Sequence, residues 1–115
     1  MTVVRIETDD GRPVCERCVV ADTFWLRFRG LMGRAELPRG EGMLFRPGGS
    51  IHMFFMRIPL DVLFCDRDLC VLRVAADLRP WRVAGARRAK VTIELAAGEA
   101  ARRGVEAGTQ LRVAE

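Results

Sequence analysis

The sequence predicts a mainly β (α+β) fold, a compact antiparallel β-barrel or jelly-roll-like sandwich of about eight short strands with two short helices. Three observations support it. Several short segments show the alternating or continuously apolar pattern of strands. Gly, Pro and Asp residues interrupt these segments at short intervals. Helical spacing of apolar residues is confined to two stretches. A chain of 115 residues, half of them hydrophobic, suits a single domain over residues 1–115.

The N-terminal segment predicts a β-hairpin. Apolar and polar side chains alternate in VVRIET, residues 3–8, as they do in a half-buried strand. The dipeptide Asp10-Gly11 favours a tight turn, and VCERCVV, residues 14–20, is then the partner strand.

The next segment, residues 21–34, predicts the first helix. Asp22 or Thr23 suits the start of this helix and Gly33 suits its end. Its apolar residues at helical spacing are Phe24, Phe28, Leu31 and Met32.

The remaining elements are six strands and one helix. A short helix over residues 96–104 would end at Gly104. Residues 79–90 form a basic loop that carries Trp81 between two arginines. The predicted strands are residues 43–46, 51–56, 61–65, 70–75, 90–95 and 110–114.

The charge balance of the chain does not by itself indicate a class of binding partner. The chain has 19 basic and 15 acidic residues, an excess too modest to indicate nucleic acid by itself. No apolar run approaches the roughly 18 residues of a membrane-spanning helix, so we expect no membrane partner. The N-terminal residues lack a signal-like apolar segment, so we expect a cytoplasmic protein with reduced cysteines. The oligomeric state is not indicated.

The stretch SIHMFFMRIPLDVLF, residues 50–64, holds the candidate site. His52 is the single histidine of the chain. It suits a general acid or base, a ligand-binding group, or a neutral structural residue. Arg57 and Asp61 flank Ile58-Pro59, where a strand should break. They either clamp that bend, by pairing or by bonding loop backbone, or bind an anion.

The cysteines are predicted to pack as structural side chains rather than to bind zinc or carry out redox chemistry. In a regular strand, Cys15 and Cys18 would lie on opposite faces about 10 Å apart, too far for a disulfide. We therefore predict no metal and no cofactor, with zinc at Cys15 and Cys18 as the second interpretation and redox chemistry as the third. Cys65 and Cys70 would face each other across a two-residue turn, whereas a longer turn would remove that pairing.

Five segments in sequence order carry a resemblance to a known family. They resemble the family called domain of unknown function 192, or uncharacterised protein family 0127, over roughly residues 14–114. The resemblance implies a compact β-barrel or jelly-roll-like sandwich with short helices, and no established activity. The segments are RFRGLMGR (27–34), GMLFR (42–46), FFMRIPLDVLF (54–64), IELAAGEAARRGV (93–105) and AGTQL (107–111).

The chain departs from the family pattern at two places. Gly108-Thr109 replaces a usual Gly-Asp, and Phe55-Met56-Arg57 stands where Trp-Met-Lys-Asn-Thr is more common. Arg34 and Glu94 lie in matching segments, so both could join the cluster around Arg57.

Three functions follow from these residues. The favoured one is binding of a small molecule in a pocket lined by His52, Arg57, Asp61, Trp81 and Arg34. The alternative is a small enzyme with His52 as acid or base and Arg57 as anion anchor. The third is binding of nucleic acid or an acidic partner through residues 79–90, which is the least expected partner class.

Overall fold

The computed structural model describes residues 2–114, apart from the side chain of Phe24. Within this part of the chain there are nine strands and two short helices, which confirms the predicted mainly β fold with short helices. The strands are β1 (Thr2–Thr8), β2 (Pro13–Val20), β3 (Glu41–Phe45), β4 (Ser50–His52), β5 (Leu60–Cys65), β6 (Val71–Leu78), β7 (Val83–Gly85), β8 (Val91–Ala96) and β9 (Leu111–Ala114). The helices are α1 (Phe24–Arg29) and α2 (Glu99–Arg102).

Seven strands form one curled sheet in the order β6-β5-β8-β3-β2-β1-β9, and β4 pairs with β7 in a second, two-stranded sheet. The pairing is antiparallel except between β2 and β3, which are parallel. Residues 21–40, including α1, supply the long crossover connection that such a parallel pair requires. The sheet curls into a half-barrel, so that its two edges approach and Cys70 bridges to Gln110.

The central strands of the curled sheet are buried on both faces. Strand β8 shows this best, because Val91, Ile93 and Leu95 belong to one apolar core. Its alternate side chains, Thr92 and Glu94, point to the other face and are also buried. That second face carries Met43, Val62 and Phe64, which form an apolar cluster with Met53 and Met56.

The first helix is shorter than its apolar pattern predicts. Thr23 caps it by accepting a hydrogen bond from the backbone N–H of Leu26 at 3.1 Å. The helix ends at Gly30, whose φ of 52° is in the left-handed region, rather than at the predicted Gly33. The predicted contribution of the Phe24 side chain lies outside the described part of the structure.

Two predicted segments differ from the structure. The strand predicted over residues 51–56 ends at His52, because Phe55 adopts a φ of 64° and the chain turns there. The segment predicted as a loop, residues 79–90, contains β7, which pairs with β4 through His52 and Val83. Both short strands pair with each other and not with the main sheet, so neither had a strong pattern to detect.

The described helices are too short to cross a membrane, since neither reaches the length and apolar character that a spanning segment needs.

Candidate functional site: a cavity floored by Glu94

Glu94 is a carboxylic acid in the middle of the main sheet. It lies on β8, with Met43 of β3 and Val62 of β5 as its cross-strand neighbours. Its residue surface is 6% exposed. Because side chains alternate along a strand, the apolar residues on either side, Ile93 and Leu95, point to the opposite face. A carboxyl group is therefore placed within an otherwise apolar layer.

Burial raises the pKa of Glu94 to about 8. The cause is loss of hydration, which disfavours the charged form. Within residues 2–114, no side chain or backbone group forms an ion pair or hydrogen bond with this carboxyl that would offset that loss. At neutral pH the group is therefore mostly a neutral acid, able to donate one hydrogen bond and to accept others.

A cavity of about 180 Å³ opens above Glu94. Its walls come from α1 and the residues after it, and from the segment that connects β3 to β4. Apolar side chains dominate the lining, and the charged or polar side chains are Arg27, Arg29, Ser50, His52 and Glu94. The full lining is Arg27, Phe28, Arg29, Gly30, Leu31, Met32, Phe45, Pro47, Gly48, Ser50, Ile51, His52, Met56 and Glu94.

Gly30 brings the first wall close to the floor. A Cβ atom at this position would lie 3.3 Å from the ring of Phe45 and 4.0 Å from Oε1 of Glu94. The end of α1 can approach the sheet this closely because Gly30 has no side chain. Arg27, one turn earlier, donates to the carbonyl oxygen of Pro47 at 3.4 Å and so joins the two walls.

Gly48 anchors the second wall to β8. Its backbone N–H donates to the carbonyl of Lys90 at 2.9 Å, and its own carbonyl accepts from the Thr92 hydroxyl at 2.9 Å. Thr92 and Glu94 are thus successive residues on one face of β8, and the first holds the wall while the second forms the floor.

His52 is exposed and lines this cavity at the end of β4. Its Nδ1 accepts a hydrogen bond from the backbone N–H of Phe54 at 3.2 Å, and its ring stacks on that of Phe54 at 4.9 Å between centroids. When the ring is neutral, its proton is therefore on Nε2. His52 is not sealed in the core, so the structure leaves it accessible to a ligand.

Asp61, another predicted site residue, is buried and already satisfied. Its carboxylate accepts backbone N–H bonds from Asp77 at 2.8 Å, Gly98 at 3.0 Å and Ala100 at 2.9 Å. These bonds tie β5 to the end of β6 and to the start of α2. Its partners lie in β6 and at the start of α2, so Asp61 neither pairs with Arg57 nor bonds the backbone of the bend at Ile58-Pro59.

The other three predicted residues also do not line the cavity. Arg57 is exposed and has no ion pair within the described part of the chain. Arg34 is exposed and lies 4.0 Å from the Glu41 carboxylate. Trp81 is 57% exposed and packs against Phe55, with ring centroids 5.1 Å apart. Of the five predicted ligand-binding residues, His52 is the one that lines the Glu94 cavity.

The two cysteines of the Cys-x-x-Cys motif lie on the same face of the sheet, unlike the prediction. Val4 pairs with Cys18 and Ile6 with Cys15, so β2 has one more residue than β1 across this interval. That bulge turns both cysteines into the same core, where both are fully buried. Hydrogen bonding to Cys15, together with burial, raises the pKa of Cys18.

A metal centre has no support among the described residues. No three His, Cys, Asp or Glu side chains of this part of the chain are grouped as ligands would be. Cys65 pairs with Val71, not Cys70, because the turn between β5 and β6 is longer than two residues.

Glu94 was the functional candidate that sequence reasoning did not place at the centre. The available signal was a single carboxylate in VTIEL, residues 91–95, where every neighbour is apolar or small. A strand with that composition is buried on both faces, so its acidic residue must be partnered or lie beside a cavity. The partner could not be read from the sequence, because the cavity walls are distant along the chain.

Comparison with known proteins identifies relatives over nearly the whole chain. The family model DUF192, described as Uncharacterized ACR, matches residues 5–113. A UPF0127 protein of Thermococcus sibiricus is 39% identical over 83 residues, which are 67% of this chain and 52% of that protein. A UPF0127 protein of Pyrococcus abyssi is 37% identical over 70 residues, 56% of each chain. The aligned region thus spans about half the length of these curated relatives.

Two solved structures share the fold. A protein of unknown function from Novosphingobium aromaticivorans superposes with a TM-score of 0.81 at 30% identity, covering 96% of this chain and 84% of that one. A protein from Sinorhizobium meliloti, described as a candidate transcription regulator, superposes with a TM-score of 0.83 at 29% identity, covering 96% and 92%.

Proposed function

We propose that this chain, which belongs to the DUF192 family, is a small-molecule-binding protein whose site is the cavity floored by Glu94. No activity is established for the family, so the proposal rests on the site itself. The observation that carries it is a buried carboxyl group without a partner among the described residues, at the bottom of an open cavity. The carboxyl oxygens of Glu94 reach the cavity, since no side-chain oxygen of the described residues is sealed away without a partner. A bound ligand that shields this group from water would have to hydrogen-bond to it, because a buried polar group left unpaired is costly.

The size of the cavity limits what it would hold. An engineered apolar cavity of about 150 Å³ binds benzene, so a cavity of about 180 Å³ suits a compact group with one ring or a short chain. The lining combines apolar walls with a few polar groups, as small-molecule sites do. Phe45, Met32 and Met56 supply apolar surface, while Glu94 and His52 supply polar groups.

A fragment screen followed by nuclear magnetic resonance would test this function. We expect compact fragments that raise the melting temperature to shift the backbone amide signals of Gly30, Gly48 and Ser50. These residues line the cavity on both walls. Fragments that bind but shift only signals on the opposite core, such as those of Cys15 and Val105, would contradict the proposed site.

A second candidate function is acid–base catalysis in the same cavity. The observation that favours it is the pKa of Glu94 at about 8, close to the value that suits proton transfer near neutral pH. His52 lines the same cavity and offers a second titratable group. The test is metabolite turnover in a cell extract by wild-type protein, Glu94→Gln and His52→Asn. Turnover that continues undiminished in both variants would exclude this candidate.

A further inference from the structure

The charges around the cavity are unbalanced. Arg27 and Arg29 are the basic residues of its lining, and Glu94 is its acidic residue. Arginine stays charged at all relevant pH values, whereas burial keeps Glu94 mostly protonated at neutral pH. The charged groups that face the cavity are therefore positive, with the neutral acid at the deep end.

The two kinds of polar group lie at different depths. Arg27 and Arg29 are exposed, and Glu94 is 6% exposed. The Arg27 guanidinium donates one bond, to the Pro47 carbonyl, and the exposed side chain of Arg29 makes no ion pair or hydrogen bond with the described residues. Each guanidinium carries five N–H donors, so both keep donors for a ligand at the mouth.

We propose, on the basis of the binding function above, that the ligand is a small organic carboxylate. Its negative group meets Arg27 and Arg29 at the mouth, and its apolar body lies between Phe45, Met32 and Met56. Guanidinium groups match carboxylates in charge and in hydrogen-bond geometry. The neutral acid of Glu94 leaves the floor uncharged, so a bound anion meets no repulsion there.

An ionised Glu94 would change this balance. The groups that face it are Arg27 and Arg29 from α1, His52 from β4, and the uncharged Met43 and Val62 from the neighbouring strands. Once Glu94 loses its proton, its negative charge repels a carboxylate bound in the same cavity of about 180 Å³. Affinity for a carboxylate therefore falls as the pH rises through about 8.

Three probes of equal ring size separate the ligand classes: benzoate, benzamide and benzylamine, each titrated at millimolar concentration and followed by the amide signals of Gly30 and Gly48. We expect benzoate to bind at least about tenfold more tightly than benzamide, with benzylamine weakest. If benzamide or benzylamine binds as well as benzoate, the carboxylate class is overturned while small-molecule binding stands. If none of the three shifts these signals, both proposals fail.

Substitutions of arginine test which residues cause the preference for benzoate over benzamide. We expect Arg27→Gln with Arg29→Gln to reduce benzoate binding to the level of benzamide. Arg57→Gln removes the same kind of charge from an exposed residue that does not line the cavity, so it should leave the preference unchanged. An equal effect of Arg57→Gln would show that overall charge, not the mouth, selects the anion and would overturn the assignment.

The pH dependence gives an independent test. Between pH 7 and pH 9.5, benzoate affinity of the wild type should fall about tenfold, while that of Glu94→Gln stays constant because its amide does not ionise. His52→Asn should retain the wild-type fall, because Glu94 still loses its proton over this pH range. A fall that persists in Glu94→Gln, or that disappears in His52→Asn, would overturn the role of Glu94.

Discussion

At the scale of single residues, Glu94 makes stability depend on pH in an unusual direction. Its pKa rises from the ordinary 4.5 to about 8 on folding, so the unfolded chain releases this proton more readily than the folded chain does. The contribution of neutral Glu94 to the free energy of unfolding is fully present below pH 4.5. It is lost progressively as the pH rises to about 8, and it is constant above that value.

We therefore expect Glu94→Gln to gain stability relative to wild type as the pH rises from 4.5 to 8. The gain is on the order of 4 kcal/mol, since one unit of pKa corresponds to about 1.4 kcal/mol. Urea unfolding of both proteins at pH 4.5, 6 and 8 measures it, and other titrating groups cancel in the difference. A difference that does not change with pH would mean that Glu94 is solvated.

Asp61 illustrates the opposite case, a buried carboxylate that is fully bonded. In Asp61→Asn, one oxygen becomes an NH2 group that faces a backbone N–H of Asp77 or of Gly98 and Ala100. We expect a loss of about 3 kcal/mol in the free energy of unfolding. The measurement is urea denaturation at pH 7.

Asp66 is the matched control for that change. A single oxygen of Asp66, Oδ1, accepts the N–H bonds of both Asp68 and Cys70 at 2.9 Å. The carbonyl of an asparagine can accept both, so Asp66→Asn should cost less than about 1 kcal/mol. Equal losses in the two variants would show that the three-bond arrangement of Asp61 is not what stabilises the chain.

At the scale of elements, the end of α1 controls the cavity. Gly30→Ala strains a left-handed backbone position and places a methyl group against Phe45 and toward Glu94. Gly33 also has a positive φ, of 80°, but a Cβ there meets nothing within 4 Å. Gly33→Ala should lose about 1 kcal/mol of stability, and Gly30→Ala should lose more, up to about 3 kcal/mol, because its φ of 52° and ψ of −129° are strained for alanine.

The two glycine variants should differ in binding. We expect Gly30→Ala to weaken binding of benzoate at least about tenfold, because the added methyl narrows a cavity whose contacts depend on close fit. Gly33→Ala should bind benzoate as the wild type does. Isothermal titration of both variants measures this, and equal affinities would show that the wall formed by Gly30 does not border the ligand.

The elements that the sequence predicted well are those with strong periodicity. Strands β5 and β8 stand out because short, mostly apolar runs end at clear turns, and they are central in the sheet. Strands β4 and β7 have three residues each and pair only with each other. Such elements form because the chain around them is already folded, so their residues show no pattern of their own. The bulge between Cys15 and Cys18 likewise shows no pattern in the sequence.

At the scale of the whole molecule, the curl of the sheet builds the site. Arg27, His52 and Glu94 are separated by 25 and 42 positions in the sequence, yet all three line one cavity. The stretch around His52 supplies part of one wall of this cavity, whereas its neighbours along the chain, Arg57 and Asp61, do not line it. The sequence does not show that Arg27 and Glu94 lie beside His52, because only the tertiary fold brings these distant positions together.

We infer that Glu94 is a neutral acid that shares its cavity with a bound anion. Nuclear magnetic resonance of the Glu94 side-chain carboxyl carbon, titrated with and without saturating benzoate, tests it most directly. We expect a midpoint of about 8 in the free protein and a higher midpoint with benzoate, because an anion that prefers the protonated form must raise its pKa. A midpoint near 4.5, or one that saturating benzoate leaves unchanged, would contradict this account.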